Sequence, residues 1–277
     1  MIKDTDAHVV VEDLLVTDHE RGGIVVDGAY NVSVADNRIE ENRQGVLVSD
    51  AEDAVLENNT IRNNTIRGIQ ASRADGITVE DNLVTGGDGR GVSVVGSSLA
   101  EIRANEITDN GYTGLGIQNG VANIVTENVI TGNEDGLQLV ASEFTDVRAN
   151  EISANEDEGL RLSLTRSSSV TDNLIRDQPT GIEIRDAVDM SVNGNDVYDN
   201  EEAGLAVVAG FFWGPATIVD ATGNYWGASN GPSGGAADDC TDETASGDGD
   251  AIVRLGFDVT LCFAPWSSNP NGAGPGT

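Results

Sequence analysis

Lysine is nearly missing from these 277 residues: Lys3 stands alone beside 14 arginines. Against 47 Asp and Glu this leaves a formal charge of −32. Nucleic acid and anionic lipid both need a basic face, so the charge argues against either as a partner. Histidine occurs only at His8 and His19, so the residue that most often serves as a general base is absent from everything beyond the first stretch. Aromatic residues make up 4%, and three of the twelve are adjacent, Phe211, Phe212 and Trp213; aliphatic side chains must therefore pack the interior. No apolar run approaches the roughly 18 residues of a membrane-spanning helix, which excludes membrane insertion by that route. The two cysteines, Cys240 and Cys262, both lie near the C-terminus. A lone pair so placed reads as one disulfide rather than a redox or metal motif, and points to an extracellular or cell-surface setting.

What is present is a repeat. A glycine followed by alternating apolar residues recurs at Gly23, Gly45, Gly68, Gly91, Gly114, Gly136, Gly159, Gly181 and Gly204, always 22 or 23 residues apart. Positions one and three residues after each glycine, and eleven and sixteen after the first eight, are aliphatic, as in Ile69, Ala71, Val79 and Val84. Period-2 alternation in short stretches makes strands, and three fit in each repeat. The expected fold is all-β, a right-handed parallel β-helix of about nine coils, because a single coil cannot bury its own apolar side. Residues 1–22 read as an incomplete first coil rather than a signal peptide. Residues 23–226 read as the helix and 227–277 as a C-terminal cap.

Fourteen residues after each of the first eight glycines stand Asn37, Asn59, Asn82, Asn105, Asn128, Asn150, Asn173 and Asn195. A second series, nineteen after, runs from Asn42 to Asn200 with Gly87 and Gln178 as exceptions. Asparagine tolerates the left-handed backbone of a turn, and its amide bonds to the asparagines above and below; both series are read as structural ladders at the turns. A catalytic asparagine would occur once.

The glycine-anchored coil resembles the parallel β-helix repeat of the pectin-lyase-like superfamily, within it most closely the NosD-like, carbohydrate-binding-and-sugar-hydrolase type. The tail motifs Gly223-Asn224-Tyr225-Trp226-Gly227 and Gly231-Pro232-Ser233-Gly234, with Pro265-Trp266 later, carry the same likeness. The acid-rich, lysine-poor composition resembles that of proteins from extreme halophiles, whose surface repulsion is screened in molar salt. Trp226, Trp266 and a Cys240–Cys262 disulfide are expected to cover the edges of the last coil, with sugar stacking as the alternative for Trp226. The N-terminal end has no capping helix, so its open strand edges invite pairing and a homo-oligomer.

The resemblance implies chemistry on the sheet just after the glycine. Its outward positions include Gln70, Gln118 and Gln138, and none of the twelve central ones is acidic. This neutral stripe suits a neutral glycan or a partner sheet, though ordinary strand surface would look the same. Phe211, Phe212 and Trp213 are a second ligand candidate. Arg161, Glu183 and Arg185 form the acid–base cluster that can be placed on the sheet; they are the catalytic candidates, with an exposed ion pair as the plainer reading. No stretch matches the Asp-Pro-His motif of alginate epimerases. Copper, implied by the NosD likeness, needs Cys, His or Met ligands that are scarce here. Calcium is the more plausible ion, at Asp248 and Asp250 or across the acidic turns Glu134-Asp135, Glu156-Asp157-Glu158 and Glu201-Glu202; solvation of an acidic surface accounts for the turns equally well. The expected function is a secreted or surface β-helix that binds carbohydrate or mediates surface contacts without catalysis. The alternatives are a polysaccharide lyase or hydrolase, and a structural fibre or virion module.

Overall fold

The computed structural model describes residues 1–5, 8–209, 217–256 and 258–275. Each coil supplies one strand to each of three parallel sheets, of 12, 11 and 9 strands. The coil anchored on Gly68 shows the plan: Arg67–Ser72 in the glycine-led sheet, Thr78–Glu80 in the second, Leu83–Thr85 in the third. The next coil returns as Arg90–Val95, in register with Arg67–Ser72. There is no helix among the described residues, and so none long and apolar enough to cross a membrane.

The aliphatic columns of the sequence form the core. Ile69, Val79, Ile107, Leu137 and Ile182 are all at 0% exposure. Burying one such side chain stabilises the fold by roughly 1.5–3 kcal/mol, and the columns repeat that gain at every rung. The anchor glycines are required by close approach rather than by backbone torsion. A Cβ on Gly136 would lie 2.4 Å from the Gly159 carbonyl oxygen and 2.7 Å from Ile152 Cγ2.

Both asparagine series form ladders. Along the first, each Nδ2 donates to the Oδ1 of the next asparagine at 2.9–3.0 Å, from Asn37 to Asn195. Asn224 extends it by one more rung, at 2.9 Å. In the second, Gln178 keeps the ladder going by accepting from Asn155 at 3.3 Å. One expectation is corrected. The ladder asparagines of the described coils do not adopt the left-handed conformation; the residue before each does, as at Asp36, Asn58, Asp81, Ala104 and Glu127. The asparagine side chain must point inward to reach its neighbours, so the corner is turned one residue earlier.

Beyond residue 226 the chain adds a further partial coil. Gly249–Gly256 pairs in parallel with Ala203–Ala209, and Val259–Cys262 with Thr217–Asp220. Cys240 and Cys262 are joined as a disulfide. Trp226 is wholly buried, which removes sugar stacking as its role. Three carboxylates tie the tail down. Asp238 accepts from the backbone N–H groups of Cys240, Thr241, Phe263 and Ala264 at 2.6–2.8 Å. Asp196 accepts from those of Asn271, Gly272 and Ala273 at 2.6–3.0 Å. Asp250 accepts from the backbone and side-chain amides of Asn200, at 3.1 and 2.7 Å.

Candidate functional site

The glycine-led sheet presents one face to solvent, and alternation fixes which side chains stand on it. Two outward columns follow the glycine, one through Gln70, Gln138, Arg161 and Glu183, the other through Ser72, Gln118, Ser163 and Arg185. A third column precedes it and contains Gln44, Arg67, Arg90, Thr113, Asp135, Glu158 and Thr180. The twelve central positions after the glycine carry no acid, but this column adds Asp135 and Glu158. Glu158 opens the strand Glu158–Ser163 rather than sitting in a turn, so its side chain stands on the sheet beside Arg161. Extending the period-2 alternation one step ahead of each glycine finds it.

Arg161, Glu183 and Arg185 do come together, with Glu158 as a fourth member. Arg161 bridges two carboxylates, donating through Nη2 to Glu158 and through Nε to Glu183 Oε1 at 3.1 Å. Arg185 donates to the other oxygen of Glu183 at 3.0 Å. Glu158 and Glu183 are 7% and 9% exposed, so these pairs are far less screened than ordinary surface ones. The second oxygen of Glu158 is buried without a hydrogen-bond partner, and the carboxylates of Asp135, Asp157 and Glu158 each bring an oxygen within 4.8 Å of the other two. Burial, the carboxyl of Asp135 and the charge of Asp157 push the Glu158 carboxyl up to about 7 against the pull of Arg161. The cluster thus holds a carboxyl that is half-protonated near neutral pH next to a carboxylate clamped by two guanidinium groups. It can donate a proton, accept hydrogen bonds and grip hydroxyl groups.

The remaining candidates lie elsewhere. Gln138 is in register with Arg161, one rung away. Gln70 accepts from Arg67 Nη1 at 3.2 Å and donates to Ser72 at 3.0 Å. Gln118 is exposed. Phe211, Phe212 and Trp213 fall outside the described residues. Asp248 pairs with Asn230 while Asp250 closes the second ladder, so the two carboxylates serve separate neighbours. Trp266 lies over Gly231 and lines, with Thr241, Asp242, Glu243, Ala264 and Pro265, an open depression of about 400 Å³.

The family described as periplasmic copper-binding protein (NosD) matches residues 2–123, and the right-handed β-helix region matches residues 89–213. The chain is a right-handed parallel β-helix. Solved structures share the fold. The β-helix aligns with the periplasmic alginate epimerase AlgG at 17% identity and TM-score 0.52, over 87% of this chain and 62% of that one. It aligns with the A-module of the mannuronan C-5 epimerase AlgE6 of Azotobacter vinelandii at 12% identity and TM-score 0.58, over 95% and 90%. Dettilon tailspike protein aligns at 13% identity and TM-score 0.55, over 91% and 60%. No curated protein matches the β-helix in sequence. The chain therefore spans less than two thirds of the length of AlgG.

Copper does not fit the residues present. Its soft and imidazole donors are dispersed: His8 and His19 are exposed, Met190 is in the core, and both thiols are in the disulfide. Asp135, Asp157 and Glu158 offer hard oxygen donors instead, three where calcium takes 6–8, and Arg161 already neutralises one.

Proposed function

We propose that this β-helix binds carbohydrate along the solvent face of its glycine-led sheet. The convergence of Glu158, Arg161, Glu183 and Arg185 on that face, with Gln138 one rung below, carries the reading. Oriented carboxylates, guanidinium groups and amides are what hydroxyl-rich ligands are gripped by. Among structures of this fold, AlgG and AlgE6 are named for epimerisation of alginate and mannuronan, which supports a glycan ligand at the level of fold alone. NosD and AlgG are both described as periplasmic. With the disulfide, that supports a site of action outside the cytoplasm.

A second reading, glycan cleavage, is favoured by one observation: Glu158 retains a proton up to about pH 7 and stands beside the ionised partner a general acid requires. One experiment separates the two. The protein is incubated with neutral and uronic polysaccharides in concentrated KCl, and co-sedimentation, reducing ends and unsaturated products are followed together. Binding predicts retention without new ends, weakened about tenfold or more in Arg161→Gln. Cleavage would replace it with the second reading; activity should then fall as pH rises through about 7 and vanish in Glu158→Gln. No retention and no product on any polysaccharide would sink both.

A further inference from the structure

The opposite half of the same face carries the opposite charge. Arg67 and Arg90 are in direct register on adjacent strands, about 4.8 Å apart along the stack. Both are half-buried. Nine of the fourteen arginines have a carboxylate partner. Among the described residues, Arg67 and Arg90 have none, in a chain with 47 acidic residues. Arg67 is oriented by its bond to Gln70, while its Nε is buried without a partner. Burial and the charge of Arg90 both pull the Arg67 guanidinium below its ordinary value; no carboxylate opposes them. Two like charges held side by side and partly dehydrated gain nothing from this fold.

Their surroundings are those of a ligand site. Ser93, outward yet only 3% exposed, is in register with Gln70, the side chain that Arg67 bonds. On the next coil Tyr112 projects at 58% exposure from the corner beside Gly89, to whose carbonyl its N–H is bonded at 3.2 Å. An exposed ring of this kind suits the apolar face of a sugar.

We propose that Arg67 and Arg90 form an oxyanion subsite that seats a carboxylate or sulfate group of an acidic glycan lying on the glycine-led sheet. Guanidinium forks match both groups bidentately. The subsite is three rungs from Glu158, about 14 Å along the stack, so an oligosaccharide laid along the helix axis meets both. This rests on the reading of the sheet as a glycan-binding face, and it replaces a neutral ligand by an acidic one.

Two measurements test it. The first compares retention of polygalacturonate with its methyl ester, and of dextran sulfate with dextran, at one fixed ionic strength. Wild type should prefer the charged member of at least one pair roughly tenfold, and which pair tells carboxylate from sulfate. An Arg67→Gln/Arg90→Gln variant, checked for an unchanged melting temperature, should lose the preference and keep any binding of the neutral member; Arg67→Lys/Arg90→Lys should keep part of it. Measurable but equal retention within both pairs by wild type, or preference surviving in the Gln variant, overturns the proposal. The second follows the arginine Nε–H resonances during titration with sodium sulfate or sodium galacturonate. Shifts at Arg67 and Arg90 without retention of any polysaccharide would uphold the subsite and refute the glycan face. Resonances that stay still overturn the subsite whatever the polysaccharides do.

Discussion

The body and the C-terminal cap of this β-helix satisfy their turns with different side chains. In the body the work falls to asparagine, whose carboxamide both donates and accepts. Asn128 donates to the carbonyls of Ile102 and Thr126 and to Asn150, and accepts from the backbone and side chain of Asn105. A group that both gives and takes can be stacked without end. In the cap the same task passes to aspartate. Asp250 stands where the next ladder asparagine would be, Asp238 gathers four backbone N–H groups of the cap, and Asp196 of the last body coils gathers three from the tail. A carboxylate only accepts, so it terminates a ladder and draws irregular chain around itself. The lesson is that donor–acceptor balance separates a rung from an end.

Three substitutions test that contrast. Asn128→Ala should be the most damaging, at about 4 kcal/mol, because it leaves buried amide and carbonyl groups unpaired and opens a void. Chemical denaturation would measure it, and a loss below about 1 kcal/mol would mean that the ladder merely accompanies the aliphatic columns. Asp238→Asn should cost about 2 kcal/mol near neutral pH, since one carbonyl oxygen cannot serve four donors. Burial raises the Asp238 carboxyl, but the N–H groups of Ala264, Phe263, Cys240 and Thr241 outweigh it and hold it below 3.8. Its stabilisation is therefore present above pH 3.8 and is lost as pH falls through the depressed value. Melting curves of variant and wild type should converge in that acid range; a constant offset would refute the ionic reading.

Asp250→Asn should have the smallest effect and the opposite sign. Burial pushes this carboxyl from 3.8 up to about 6, despite its bonds to Asn200. A raised value makes the contribution complete below pH 3.8 and progressively lost as pH rises through about 6. The neutral amide escapes that loss. It should gain about 1 kcal/mol at about pH 8, after allowance for the water the carboxyl meets, and nothing near pH 4. Equal melting temperatures at both pH values would show that the cap tolerates the charge, and that acceptor-only termination alone defines it.

The coil, its aliphatic columns and its ladders were legible in the residues because a solenoid turns periodicity into contact. Residues 22 or 23 apart become neighbours, so Ile69 is known to meet Val92 without any model of the whole. The meeting of Arg161, Glu183 and Arg185 was legible for the same reason. Glu158 is within reach of that logic, yet three acids in succession, Glu156-Asp157-Glu158, have the look of a solvated corner. The charge state of the site belonged to the tertiary structure. Burial cannot be read from a period, and it is burial first of all that brings Glu158 close to neutral pH and pulls the Arg67 guanidinium down.

The cap marks the other limit. Asp196 bonds to chain 75–77 residues away, and Asp250 replaces an asparagine 50 residues after Asn200; no repeat predicts either pairing. The sequence by itself determined the fold, because each coil is stabilised mainly by copies of itself. The tertiary structure decided where the repetition stops and which outward charges stay unpaired, because both depend on how non-repeating chain covers the stack and keeps water out.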